Sequence, residues 1–276
     1  MKIIKTQLSA GAEKPFQIIH MSDTHLAHAD ERNDERKIRL AERRKNSFPD
    51  ADLMISKITE LYKKTGDTVV HTGDLIDFVS EKNLDIAKAF TDNVDCFAAA
   101  GNHEFSLYVG EAKEDAAYRE QSLTKVQSVF KNNIRFSTRI ENGINFVAVD
   151  NSYYLFEQWQ LERLKQEVRK GLPVILCVHT PLYSEELFDL ILGSEGDESP
   201  AYLMSVPEEK MNNYSPERYE QQKEDSVTHE AYKYIKNEAL IKAVLTGHVH
   251  RSFELPLGEK MQYGVGCTDI RIIDIC

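Results

Sequence analysis

The sequence predicts an α/β fold, and three observations carry that prediction. Short β-branched apolar runs alternate along the chain with amphipathic helical stretches, as expected where strands are covered by helices. The runs are continuously apolar, so they read as strands buried on both faces, in a parallel or mixed sheet. The length of 276 residues, 41% of them hydrophobic, suffices for a large core and fits one α/β domain over 1–276 at least as well as two small ones.

Taken in order, the strand candidates are 17–21, 68–72, 95–100, 144–149, 174–178 and 243–246. Between them, 51–64 places Met54, Ile55, Ile58, Leu61 and Tyr62 on one stripe and stops at Gly66. Stretches 118–130 and 156–168 read as helices too, the latter with Trp159, Leu161, Leu164 and Val168 ahead of Gly171. Two segments interrupt the rhythm. Residues 30–45 are crowded with both charge signs and read as a solvated helix on an excursion. Residues 193–228 are polar and turn-rich, with Pro200, Pro207 and Pro216, yet carry Tyr202, Met204, Met211, Tyr214 and Tyr219. An insertion of that length is either a lid or a surface decoration, and both readings stay open here.

Charge and cysteine usage narrow the function classes. A formal net charge of -11 gives no broad basic field, so extended nucleic acid is not an expected ligand, whereas small phosphorylated molecules are compatible. Cys96, Cys177, Cys267 and Cys276 show no CxxC spacing and read as free thiols of a reducing compartment. No apolar stretch approaches the roughly 18 residues of a membrane span, and the start lacks a signal-peptide core, so a cytoplasmic protein without membrane association is expected.

The strongest signal is a set of five motifs, each following an apolar run: Asp23-Thr24-His25, Gly73-Asp74-Leu75-Ile76-Asp77, Gly101-Asn102-His103-Glu104, His179-Thr180-Pro181 and Gly247-His248-Val249-His250. Five of the nine histidines fall inside them. Any one motif is an ordinary turn or strand end. Five strand ends delivering Asp, Asn or His to the edge where open α/β sheets form ligand sites predict two metal ions. Carboxylate, amide and imidazole donors suit manganese, iron or zinc, and the lack of nearby thiolates argues against a structural zinc site. Two ions need a bridge. A carboxylate can hold two cations through separate oxygens, and Asp74, in a Gly-Asp turn, is the best candidate.

The ordered set DxH, GDxxD, GNHE, a strand-end His and GHxH resembles the calcineurin-like metallophosphoesterase superfamily, from Asp23 to His250. The segment with Gln158, Trp159 and Leu161 is similar to the family's element at that place. The resemblance implies two packed, mainly mixed β-sheets flanked by helices, a four-layer α/β/β/α sandwich. It implies one divalent or mixed-valence ion held by Asp23, His25, Asp74 and His250, and a second by Asp74, Asn102, His179 and His248. His103 corresponds to the non-ligand histidine that protonates the leaving oxygen, and Asp77 to the carboxylate that orients it. The implied activity is metal-dependent hydrolysis of small phosphorylated substrates, monoester or diester, with a non-catalytic metal-binding scaffold or a nuclease as alternatives. Phe78-Val79 and Phe105-Ser106 stand where protein phosphatases carry arginines, which makes a phosphoprotein substrate less expected.

The remaining candidates take plainer readings. His20 and His71 lie in apolar runs and read as hydrogen-bonded core histidines. His28 reads as a solvated loop histidine, and His229 carries no signal. Asp150 and Asn151 end a strand run and read as a turn rather than a ligand contact. Tyr183, after the His179 motif, is a candidate for the pocket border.

Overall fold

Apolar runs without polar alternation demand cover on both faces, and the chain supplies it with two stacked sheets and helices outside each. The computed structural model describes residues 2–111, 114–195 and 200–276. The strands are β1 Lys2–Leu8, β2 Phe16–Met21, β3 Thr68–His71, β4 Cys96–Ala98, β5 Phe136–Glu141 and β6 Ile144–Val149, followed by β7 Val174–Cys177, β8 Ile241–Thr246, β9 Phe253–Leu257, β10 Lys260–Gly264 and β11 Asp269–Ile275. The helices are α1 Glu35–Lys45, α2 Ala51–Thr65, α3 Glu81–Asn93, α4 Ala116–Glu120, α5 Leu123–Gln127, α6 Gln158–Val168, α7 Glu185–Glu195, α8 Pro216–Gln222 and α9 Ser226–Asn237.

One sheet has the order β1-β11-β2-β3-β4 and the other β5-β6-β7-β8-β10-β9. Both are mixed. In the first, β2, β3 and β4 run parallel; in the second, β6, β7 and β8 do. The period-2 geometry of a strand then divides each apolar run between two cores. Val70, Ile175 and Cys177 pack between the sheets with Ile18, Phe146 and Leu245. Val69 turns the other way, under Met54, Ile58 and Ala87 of α2 and α3. Val174 and Leu176 lie under Leu161 and Leu164 of α6 and Ala231 and Ile235 of α9. The four-layer sandwich is therefore the consequence of runs too apolar to leave either face wet.

Elements read from the sequence differ from the structure in identifiable ways. Residues 118–130 form two short helices, because Ser122 turns its hydroxyl to the Phe105 carbonyl at 3.3 Å and its own carbonyl restarts the helix by accepting from Val126 N–H at 2.9 Å. Helix α1 begins only at Glu35, where Asp34 accepts from the Lys37 N–H at 2.9 Å. Strands β1 and β9 to β11 carry too many charges to stand out as apolar runs. The charge of Arg271 on β11 is spent inside: 1% exposed, it donates to Thr6 Oγ1 at 2.6 Å in one sheet and to the carbonyls of Phe253 and Gly264, at 3.0 and 2.9 Å, in the other. All four cysteines are unpaired. Among the described residues no helix is long and apolar enough to cross a membrane.

Candidate metal centre

Parallel strands put their carboxyl ends at one edge, and the loops leaving β2, β3, β4, β7 and β8 meet there. The β2 loop is zipped to the β3 loop by Asp23 N–H to Gly73 O at 2.9 Å and His25 N–H to Asp74 O at 2.9 Å, and Gly247 N–H reaches His179 O at 3.0 Å. Asp23, His25, Asp74, His248 and His250 all have positive φ, between 52° and 69°. Side chains rarely adopt that region, so five such residues at one edge mark a backbone held against its preference by its surroundings. Gly101 and Gly247 permit the closeness: a Cβ on Gly101 would lie 2.2 Å from Asp74 Oδ1, and one on Gly247 would lie 1.8 Å from Ser22 Oγ.

All seven of the donor residues expected from the sequence come together here. Around His25 Nε2 stand His250 Nε2 at 3.0 Å, Asp74 Oδ2 at 3.6 Å and Asp23 Oδ1 at 3.9 Å. Around His179 Nε2 stand His248 Nδ1 at 3.1 Å, Asp74 Oδ2 at 3.2 Å and Asn102 Oδ1 at 3.2 Å. The same oxygen, Asp74 Oδ2, serves both groups. Its other oxygen, Asp74 Oδ1, accepts the His103 backbone N–H at 2.8 Å.

The protons can be assigned from the partners. His179 Nδ1 faces the Thr72 carbonyl at 2.7 Å and His25 Nδ1 faces Asp77 Oδ1 at 2.9 Å, both acceptors, so each Nδ1 carries the hydrogen and Nε2 of a neutral ring is a lone pair. In their neutral rings, His25 and His179 therefore aim Nε2 electron pairs at the Asp74 carboxylate oxygen. A cation in each group satisfies them, and the oxygen and imidazole donors suit divalent ions. The carboxylates favour positive charge at the same place: burial opposes the charged form of His179, but Asp74 and Asp23 outweigh it and raise the ring to about 10, so a proton and a metal ion compete for the same Nε2 lone pair. Burial also works against the Asp74 carboxylate, yet His179, His103 and His25 hold it well below the usual range. The donor set fits two divalent ions.

Further residues, of which Tyr154, Arg44 and Phe48 carried no signal in the sequence, hold this set in place. Glu104, 0% exposed, accepts from Asp74 N and Gly101 N at 2.7 and 2.6 Å with one oxygen and from Leu75 N at 2.7 Å with the other, stapling two loops. Burial and the Asp74 charge push it up to about 7. Asn151 Oδ1 accepts the backbone N–H of His179 and of Thr180 at 3.0 Å each, which makes it more than a turn residue. The Tyr154 hydroxyl lies 3.2 Å from His248 Nε2. Asp77 is shared: His103 Nδ1 donates to its carbonyl at 2.7 Å and lies 3.3 Å from its Oδ1, while Arg44 grips the carboxylate with Nε at 2.7 Å and Nη2 at 2.8 Å. The charged segment after the first motif is thus not wholly solvated. Its Arg44 locks Asp77, and Phe48 just beyond stacks on His25 with ring centroids 4.0 Å apart.

A cavity of about 280 Å³ opens over the donors. Asp74, Asn102, His103, His248 and His250 form its floor, and Glu114, Tyr154, Ile191, Val249, Pro200, Ala201, Tyr202 and Arg218 its walls. Four of these wall residues belong to the 193–228 insertion, whose positions 196–199 lie outside the described residues. Tyr183 is not among them; its ring packs on Phe188 with centroids 5.8 Å apart. His103 is pushed up to about 9, burial being outweighed by Asp74 and Asp77. His20 and His71 are buried core histidines, His20 Nε2 lying 3.0 Å from Thr72 Oγ1 and His71 Nδ1 accepting from Gly73 N–H at 3.1 Å. His28 pairs with Asp52 at 2.9 Å, His229 with Glu224 at 2.8 Å, and Asp150 with Arg135 at 2.6 Å.

The calcineurin-like phosphoesterase family model matches residues 16–252. No curated protein gives a significant match to the sequence. Among solved structures, a dimetal phosphatase from Danio rerio is similar with a TM-score of 0.53 at 13% identity, over 91% of this chain and 88% of that one. The phosphopantetheinyl hydrolase of Mycobacterium tuberculosis gives a TM-score of 0.48 at 12% identity, over 91% and 89%. At such identities the likeness to the first is one of fold.

Proposed function

Since the chain belongs to the calcineurin-like phosphoesterase family, we propose that it hydrolyses the phosphate esters of small molecules with two divalent ions at the sheet edge. The observation that carries the reading is Asp74 Oδ2, common to two clusters of inward-facing lone pairs. Asp23, His25, Asp74 and His250 would hold one ion, and Asp74, Asn102, His179 and His248 the other. Manganese, iron and zinc all suit these donors. When bound, such a pair supplies Lewis acidity for the phosphoryl oxygens and lowers the pKa of a water.

The chain's own residues do the rest. His103 has Nδ1 committed to Asp77, which leaves Nε2 as its nitrogen for a substrate in the cavity it lines. Asp74 and Asp77 raise the ring above its ordinary value, which favours the acid form, and that form can give its Nε2 proton to the leaving oxygen as the bond from phosphorus to the alcohol breaks and the bond to water's oxygen forms. Asp77 fixes the ring and Arg44 fixes Asp77. The small cavity and the acidic chain support a compact ester over a nucleic acid.

The test is turnover of p-nitrophenyl phosphate and bis-p-nitrophenyl phosphate by protein reconstituted in turn with manganese, iron and zinc, with bound metal measured in parallel. Metal-dependent turnover of either is expected. Two ions bound without turnover of either would replace the reading with a scaffold, and salt-sensitive DNA cleavage alone would replace it with a nuclease.

A further inference from the structure

The insertion delivers one guanidinium to the cavity. Arg218, on α8, lines it together with Asp74, Asn102 and His103, and it is the sole Arg or Lys among the described lining residues, in a chain of net charge -11. Its Nη1 donates to Glu114 Oε2 at 2.5 Å and to Gln221 Oε1 at 3.1 Å, while Nε and Nη2 donate to no other described residue. Glu114 is 8% exposed at its side chain and offers its second oxygen to Asn102 Nδ2 at 3.5 Å. One buried carboxylate thus stands between the guanidinium and a metal-donor candidate. Arg218 therefore stands one side chain away from the donor candidate Asn102, on the wall of the same cavity.

We propose that Arg218 is a specificity-determining residue that takes a second oxyanion, on a compact phosphomonoester whose phosphoryl group is held over the donor cluster; this rests on the phosphoesterase reading above. Glu114 occupies the Nη1 end of the fork and aims it. The Nε and Nη2 edge left over is the one whose parallel N–H groups match a carboxylate or phosphate in bidentate fashion. Tyr202 supports the guanidinium, its ring centroid lying 5.8 Å from the Arg218 Cζ. The volume of about 280 Å³ keeps the two anionic groups of the substrate close together.

The experiment compares phosphoglycolate with ethyl phosphate as substrates of the metal-reconstituted full chain, in wild type, Arg218→Met and Arg218→Lys, with metal content checked for each. Wild type should prefer phosphoglycolate in kcat/KM. Arg218→Met should lower that preference by about 10- to 100-fold, the range of a charge-assisted hydrogen bond, mainly through KM, and Arg218→Lys should recover part of it. Calorimetric binding of phosphonoacetate, methylenediphosphonate and methylphosphonate then tells whether the second oxyanion is a carboxylate or a phosphate. A wild type without preference, or a preference untouched by Arg218→Met, overturns the inference while leaving the phosphoesterase reading intact. If wild type turns over neither ester yet binds a two-anion probe more tightly than methylphosphonate in an Arg218-dependent way, the subsite stands and the hydrolytic reading falls; absence of that dependence removes both.

Discussion

The floor and the wall of the cavity are built in opposite ways. The floor residues sit on loops at the ends of parallel strands beside the donors Asp23, His25 and His179, which are all 0% exposed, and the strained backbone there is clamped by Glu104, Asn151 and the loop-to-loop hydrogen bonds. The wall comes from Tyr154, Glu114, Ile191, Val249 and the insertion, and its charged members Glu114 and Arg218 are held by an ion pair rather than by a sheet. Reaction chemistry tolerates little displacement, so its groups belong where the backbone is over-determined, while selection of a substrate can be left to segments that change without disturbing the core. Changes to the floor should therefore cost metal and turnover, and changes to the wall should redistribute preference.

The largest effect is expected from Asp74→Ala. One oxygen serves both donor groups, so its loss should drop bound metal from two ions to at most one and reduce turnover by more than the roughly 10²- to 10⁴-fold of a single proton-transfer group. Elemental analysis beside p-nitrophenyl phosphate kinetics reads both, and two ions retained at wild-type affinity would break the idea of a shared floor. Gly101→Ala should follow closely, since its Cβ would collide with Asp74 itself.

Next comes His103→Gln, with an expected loss of about 10²- to 10⁴-fold in kcat at unchanged metal content. Its pH profile carries a sign. The ring's pKa is raised to about 9 by the protein's own carboxylates, so the acid form is present below that value and is lost as pH rises through it. Two bound cations would offset the Asp74 charge and pull the value down, so the falling limb should lie below about 9. Persistence of the same limb in His103→Gln would assign it to another group. Arg44→Met, which frees Asp77 beneath both His25 and His103, should cost about 10- to 100-fold in metal affinity or activity, the usual toll for a partner of a ligand.

The same division explains what could be read in advance. Strand ends carrying Asp23, Asp74, Asn102, His179 and His248 announce themselves because buried parallel strands are apolar and the residues after them are not. Arg44 was hidden among the many charges of its segment, where nothing local separates the one that points inward from those that remain wet. Glu104 sits inside a quoted motif, but its task, accepting from backbone N–H groups of two loops, has no side-chain signature. Strand β11 is paired on both sides, between β1 and β2, although Asp269, Arg271 and Asp274 punctuate its length, because Arg271 finds partners only in the folded molecule. Arg218 and Glu114 are 104 residues apart, and no spacing rule joins them.

On the wall, Tyr202→Ala should raise KM several-fold at constant metal content, since its ring packs at 5.6 Å against Tyr214 and supports Arg218 without touching the donors. The smallest effect of all is expected from His28→Ala, and it tests the boundary of the floor. His28 lies three residues after His25, close enough in sequence to pass for a ligand, but its Nε2 is paired with Asp52, whose side chain is 54% exposed. Exposed pairs contribute about 0 to 1 kcal/mol, and the backbone N–H bond from His28 to Asn83 Oδ1 at 2.8 Å survives the substitution. Thermal unfolding should shift by no more than that amount, with two ions still bound and the ester preference intact. A loss of metal in His28→Ala would extend the floor past the strand end, into the segment that the geometry assigns to the surface.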